Sequence, residues 1–120
     1  DYKARSSPLE TEVVADLCAK LDLSPEDWRC KQGAVVYAPD FFPEIEHLEG
    51  TAETYDDIEA LFGNYRVFCS QAFGEVTNPD AYFQCNYDLR GDGFYLFSCR
   101  FHPGGKVVQI RARAIPGGPR

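Results

Sequence analysis

The stretch Ala81-Tyr82-Phe83-Gln84-Cys85-Asn86-Tyr87-Asp88-Leu89-Arg90-Gly91-Asp92-Gly93-Phe94-Tyr95-Leu96-Phe97-Ser98-Cys99-Arg100-Phe101 holds two runs of alternating character around a glycine-rich turn. Phe83, Cys85 and Tyr87 share one face of the first run, against Tyr82, Gln84, Asn86 and Asp88 on the other. Tyr95, Phe97, Cys99 and Phe101 share one face of the second. A period of two marks a strand with one buried face. A two-residue Asp92-Gly93 turn would set Cys99 opposite Asn86 and mix the faces. A three-residue Gly91-Asp92-Gly93 loop, with Gly93 left-handed, sets Phe83 opposite Phe101, Cys85 opposite Cys99 and Tyr87 opposite Phe97. Every inward residue then meets an inward residue, so this register is preferred.

The same period predicts strands on either side. Residues 65–70, Tyr-Arg-Val-Phe-Cys-Ser, form the strand before the hairpin, with a loop over residues 74–80 that includes Asn78-Pro79. The turn His102-Pro103-Gly104-Gly105 leads into a fourth strand over residues 106–114, with Val108, Ile110 and Ala112 inward and Arg111 and Arg113 outward.

The first half of the chain has the helical period instead. Ser7-Pro8-Leu9-Glu10 reads as an N-cap, a first-turn proline and a closing Glu. Leu9, Val13, Leu17 and Leu21 trace an apolar stripe to about residue 21. Ser24-Pro25-Glu26-Asp27 starts a short turn carrying Trp28, and Ala34-Val35-Val36-Tyr37 is a brief β-prone run. Residues 44–48 can make a short helix ending at Gly50, with Phe41, Phe42, Ile45 and Leu48 toward the core. Thr54-Tyr55-Asp56-Asp57 opens a further helix with an N-cap and first-turn acids. Ile58, Leu61 and Phe62 are its apolar face, and Gly63 is its left-handed stop. The fold class is therefore α+β, N-terminal helices packed on one face of a four-stranded antiparallel meander. Its 120 residues make one domain: a mainly helical part over 7–63, the sheet over 64–114 and a Pro/Gly-rich tail over 115–120, with residues 1–6 frayed.

A hydrophobic fraction of 44% and an aromatic fraction of 14% are globular values, which exclude wholesale disorder. No apolar run approaches the ~18 residues of a membrane span. There is no signal-peptide pattern, and the absence of methionine, even at position 1, points to a processed or trimmed piece of a longer chain. A net charge of −7 repels phosphate and argues against a nucleic-acid partner. The charge is uneven. Residues 32–65 carry Asp40, Glu44, Glu46, Glu49, Glu53, Asp56, Asp57 and Glu59 with no Lys or Arg. Beyond Arg90 come Arg100, Lys106, Arg111, Arg113 and Arg120, with Asp92 the only acid.

Five cysteines in so short a chain suggest an oxidising compartment, secreted or periplasmic, with one thiol left over. Cys18 and Cys30 would close a short loop that fastens the first helix to the segment behind it, worth roughly 3 kcal/mol. Cys85 and Cys99 are the leading second pair, because directly opposed antiparallel residues fall inside the disulfide range. Cys69 competes for Cys85 through the neighbouring strand, and if it wins Cys99 is the leftover thiol. No Cys-x-x-Cys pair occurs, and His47 and His102 lie far apart, so no metal site is expected. Asp88-Leu89-Arg90-Gly91-Asp92-Gly93 fails as a calcium loop, with Arg90 at the third ligand position and Cys99 at the closing one. Its Arg-Gly-Asp tripeptide is explained by the conformational needs of the turn. No Gly-rich phosphate loop and no Ser-His or Cys-His pairing is evident, so neither an enzyme nor a cofactor is expected.

Gly50, the run Thr54-Tyr55-Asp56-Asp57-Ile58-Glu59-Ala60-Leu61-Phe62-Gly63 and Gly105-Lys106-Val107-Val108 together resemble the SmpA/OmlA lipoproteins and the wider β-lactamase-inhibitor-protein-like fold. The resemblance spans residues 42–112, with Asn64 where that family often has proline. It implies a small extracytoplasmic binding or assembly domain without a catalytic site.

The resulting expectation is a non-catalytic secreted or periplasmic domain that binds another protein, as an inhibitor or assembly factor. The binding surface is either the open face of the sheet or an acidic helical face carrying Glu44, Glu49, Asp56 and Glu59. The alternative is a small-molecule carrier or sensor, with Phe68, Phe83, Phe97 and Phe101 lining a pocket between sheet and helices. A cysteine-dependent enzyme would need an exposed thiol of low pKa.

Overall fold

The computed structural model describes residues 7–70 and 81–115. Residues 1–6, expected to fray, the loop expected at 74–80 and residues 116–120 of the tail lie outside them. Among the described residues, helices α1 (Thr11–Lys20), α2 (Phe42–His47) and α3 (Tyr55–Phe62) precede strands β1 (Arg66–Cys69), β2 (Phe83–Asp88), β3 (Tyr95–Phe101) and β4 (Val107–Ala114). The strands form one antiparallel sheet in the order β1-β2-β3-β4, and the helices pack against it. The architecture is α+β.

The central hairpin has the three-residue register. Phe83 lies opposite Phe101, Cys85 opposite Cys99 and Tyr87 opposite Phe97. Gly91 and Gly93 both take φ of +82°, a conformation open to glycine at no steric cost. Asp88 holds the turn by accepting from the backbone N–H groups of Arg90, Gly91 and Gly93 at 3.2, 2.8 and 2.7 Å. On the inner face Tyr87 stacks on Phe97 with ring centroids 4.8 Å apart, and Phe62 of α3 meets Phe97 edge-on at 4.9 Å. Leu17, Phe41, Ile45 and Ile58 close the same core from the helical side.

Several elements depart from the pattern in the sequence. Helix α1 begins at Thr11, not at the Ser7 box, because Glu10 is extended and Leu9 is buried, with its N–H donating to Val36 O at 2.8 Å. That bond is all the ladder that residues 34–37 form, so the β-prone run is an extended connector and not a strand. Helix α1 closes with Asp22 at φ +54°, where Asp22 N–H donates to Ala19 O and Leu23 N–H to Cys18 O, a Schellman stop. The turn carrying Trp28 (Trp28–Cys30) is capped by Asp27, not Ser24. Phe42 begins α2, two residues ahead of the expected helix, and a 3-10 turn over Leu48–Gly50 follows it. Phe41 and Ile45 are fully buried, and Phe42 and Leu48 pack against them.

Thr54 and Asp57 do form the cap of α3, the Asp57 carboxylate accepting from Thr54 N–H at 3.0 Å. Gly63 is not left-handed, however. Its φ of −54° continues into a 3-10 turn, and a Cβ there would meet only the end of the Glu59 side chain, 2.9 Å from Oε1. In β4, Val107 rather than Val108 faces inward. A bulge between Arg100 and Phe101 pairs Phe101 with Val107 and leaves Val108 43% exposed. Asn86 is on the outer face by alternation yet only 7% exposed, its amide oxygen accepting from Gln84 Nε2 at 3.2 Å.

The open edge of β4 is closed by two carboxylates. Glu49 Oε1 accepts from Ile110 N–H at 2.7 Å, and Glu46 Oε2 from Ala112 N–H at 2.9 Å. These are the backbone donors an edge strand otherwise offers to another chain. In Glu49→Ala, amide exchange at Ile110 is expected to accelerate by about tenfold or more, with one charge-assisted hydrogen bond of about 1.5–3 kcal/mol removed. NMR-detected hydrogen exchange reads this residue by residue, with Ala112 as the internal control.

Candidate functional site

The four acids singled out from the sequence do not form one free surface. Glu44 is paired with Arg29, and Glu49 accepts from the edge of β4. Glu59 accepts from the hydroxyls of Tyr55 at 2.7 Å and Tyr87 at 3.0 Å and lies 3.6 Å from Arg66. Asp56 and Glu49 are the exposed members of the four, and Glu49 is engaged at the edge of β4. The short helices turn their acids toward neighbouring elements, and that placement is invisible in a one-dimensional charge count. Burial pushes the Tyr87 hydroxyl above its usual range, and its bond to Glu59 acts in the same direction.

Arg29, which charge patterning did not single out, is 7% exposed and joins three segments. Its Nε and Nη2 donate to Asp27, and Nη1 and Nη2 reach the two oxygens of Glu44 at 2.7 and 2.9 Å. Nη1 also donates to Asp40 O at 2.7 Å. The guanidinium lies over the Phe41 ring at 5.2 Å. The usable signal was its place beside Cys30, since the Cys18–Cys30 bridge draws this segment onto α1. Hydrogen bonds from Arg29 hold the Asp27 carboxyl at about 2 and that of Glu44 below its usual range.

Two disulfides are present, Cys18–Cys30 and Cys69–Cys85. The leading Cys85–Cys99 pairing is thereby corrected, and Cys99 is the buried free thiol. Backbone geometry gives the reason. Ser70 N–H donates to Gln84 O at 2.8 Å, so the adjacent pair Cys69–Cys85 is a non-hydrogen-bonded one, with Cα atoms 4.0 Å apart. The polar groups of Cys85 then point to β3, which makes Cys85–Cys99 a wide pair. Burial pushes the Cys99 thiol up to about 12, which is opposite to what a nucleophilic cysteine needs.

The four phenylalanines of the carrier reading do not line a common cavity. Phe97 is in the solid core. Phe101 is stacked between Tyr55 at 4.1 Å and Phe83 at 5.5 Å, and Phe68 lies on the opposite face, 55% exposed. Clefts among the described residues lie at the periphery, one of them an open groove of about 650 Å³ lined by Leu21, Pro43, Glu44, Leu48 and Thr51. His102 Nδ1 lies 3.2 Å from Ala81 O.

What remains is the outer face of the sheet. Alternation places Phe68, Asn86, Ser98 and Arg111 in one row across it, Gln84, Arg100 and Gln109 in a second, and Asp88, Leu96 and Arg113 in a third. Arg111 and Arg113 are exposed. Arg100 is held by Gln84 Oε1 at 2.8 Å and lies over the Tyr82 ring at 4.8 Å. Among the described residues of these rows the one carboxylate, Asp88, is occupied by the hairpin turn. An acidic chain therefore carries a face that is locally basic and aromatic.

The Arg29 cluster sets an acid limit. Its carboxyls have native values below the unfolded values of about 4, so their contribution is complete above about pH 4 and is lost as pH falls toward about 2. Urea titrations should show stability dropping through that window. Arg29→Met is expected to lose about 2–4 kcal/mol at pH 7, less than a fully buried pair because both carboxylates touch solvent, and to show a shallower acid limb. No family model, curated protein or solved structure matches this chain.

Proposed function

We propose that the chain is a non-catalytic extracytoplasmic domain that binds an acidic partner protein through the outer face of its sheet, as an inhibitor or assembly factor. The observation that carries this reading is the grouping of exposed Phe68 with Arg100, Arg111 and Arg113 on a face whose one carboxylate among the described residues is already engaged. Arginine and aromatic side chains supply most of the energy of protein interfaces. Arg100, clamped between Gln84 and Tyr82, has already lost much of the rotamer freedom that binding would take from it. The partner is acidic by complementarity, and the face accounts for the sequence expectation of a binding sheet better than the acidic helices, whose carboxylates serve the fold.

The two disulfides support an extracytoplasmic compartment, because such bonds persist outside the reducing cytosol. No described helix is long and apolar enough to cross a membrane. The resemblance to SmpA/OmlA lipoproteins supports the same reading. The two halves of its pattern meet in space, since Thr54 bridges Lys106 and Tyr55 N–H donates to Gly105 O at 2.6 Å.

The test is differential capture from extracellular fractions. A partner held by the immobilised wild type should be retained by Asp56→Lys and lose about tenfold or more in affinity for Arg111→Glu/Arg113→Glu. Retention by the arginine variant with loss by Asp56→Lys would transfer the binding surface to α3.

A further inference from the structure

Three of the five cysteines stand in one row across three strands: Cys69 on β1 faces Cys85 on β2, which faces Cys99 on β3. Opposed residues in neighbouring antiparallel strands project to the same face, so all three side chains start out on the inner side. The row has a gradient of exposure. Cys69 is exposed on the edge strand, while Cys85 and Cys99 are buried. A thiolate attacks a disulfide from the side opposite the departing sulfur. A bonded pair with a free thiol as the next member of the same row has that arrangement, because strands follow one another at about 4.8 Å in one direction. The alternative bond is also attainable, since wide antiparallel pairs have Cα separations of about 5.5 Å, inside the disulfide range.

We propose that this row is a thiol–disulfide exchange site that hands the free thiol from the core to the surface, where it takes a low-molecular-weight disulfide such as oxidised glutathione. In the first step Cys99, as thiolate, attacks Cys85 Sγ. The Cys85–Cys99 bond forms, the Cys69–Cys85 bond breaks, and Cys69 departs as thiolate, with no net oxidation. Cys69 Sγ departs 3.9 Å from the Tyr55 hydroxyl, whose own proton goes to Glu59 and whose ring is held by stacking on Phe101. In the second step the Cys69 thiolate attacks the external disulfide, forming one mixed disulfide and releasing one small thiolate. Burial of Cys99 keeps its thiolate scarce, so the resting protein holds the Cys69–Cys85 bond and exchange proceeds slowly.

The sequence supplies a clean readout. No Lys or Arg lies between residues 66 and 90, so trypsin leaves Cys69 and Cys85 in one peptide, residues 67–90, and Cys99 in the next, residues 91–100. Native protein is incubated with oxidised glutathione, quenched in acid and digested without reduction. The expected product is peptide 67–90 carrying one glutathionyl group and cross-linked to peptide 91–100. In Cys99→Ser that product should be absent and the glutathionyl yield should fall by about tenfold or more, because no internal thiol can open the bond. Peptide 67–90 with its internal bond intact, or a glutathionyl group on Cys99, overturns the proposal. Cys69→Ser tests it without relying on the Cys99 variant. Refolded in a glutathione redox buffer, it should carry the Cys85–Cys99 cross-link, and two free thiols in the folded protein overturn the proposal.

Discussion

The Tyr87–Phe97 stack, capped edge-on by Phe62, is the core contact on which the packing of helices against the sheet rests. It exists because the hairpin closes with three residues. A one-residue slip of one strand against the other would put the two rings on opposite faces and break the wall on which Phe62, Ile58 and Leu17 pack. Asp88, which ties three backbone N–H groups of the turn, thus acts on the core from a distance, by holding the register that puts the rings together. The helices add few caps of their own and depend on this wall. Helix α1 gives up its proline-led first turn so that Leu9 can pair with Val36.

Charge in this protein is used mainly inward. Glu44, Glu46, Glu49 and Glu59 each accept from a named donor on another element or on a neighbouring side chain, and Arg29 gathers three segments around one guanidinium. The carboxylates on the edge of β4 both satisfy its backbone and present negative charge where another strand could otherwise add. Since Arg111 and Arg113 point away from this edge, the basic residues of β4 are left on the outer face, and the proposed binding surface arises there.

The cysteines show how little separates two covalent structures of one chain. Cys85 has a partner on each side in the same row, and the hydrogen-bond phase of the sheet makes Cys69 the nearer one. The unpaired thiol is thereby placed in the core, where desolvation holds it protonated.

The hairpin register was legible in the sequence because a period of two and a glycine turn are local facts, and so were the capped helix α3 and the Cys18–Cys30 loop. Local patterns also marked Phe41 and Ile45 as core. The start of α1 and the inward turn of Val107 were not legible, because each was decided by a neighbour on another element: Val36, and the bulge between Arg100 and Phe101. The candidate site followed the same division. The sequence by itself determined that acids cluster before the sheet, that arginines cluster within it, and that five cysteines leave one thiol over. Only the tertiary structure decided which acids were already engaged, which face the arginines share, and which cysteine stays free. Each of those depends on distances across strands and between elements, and no periodicity along the chain encodes them.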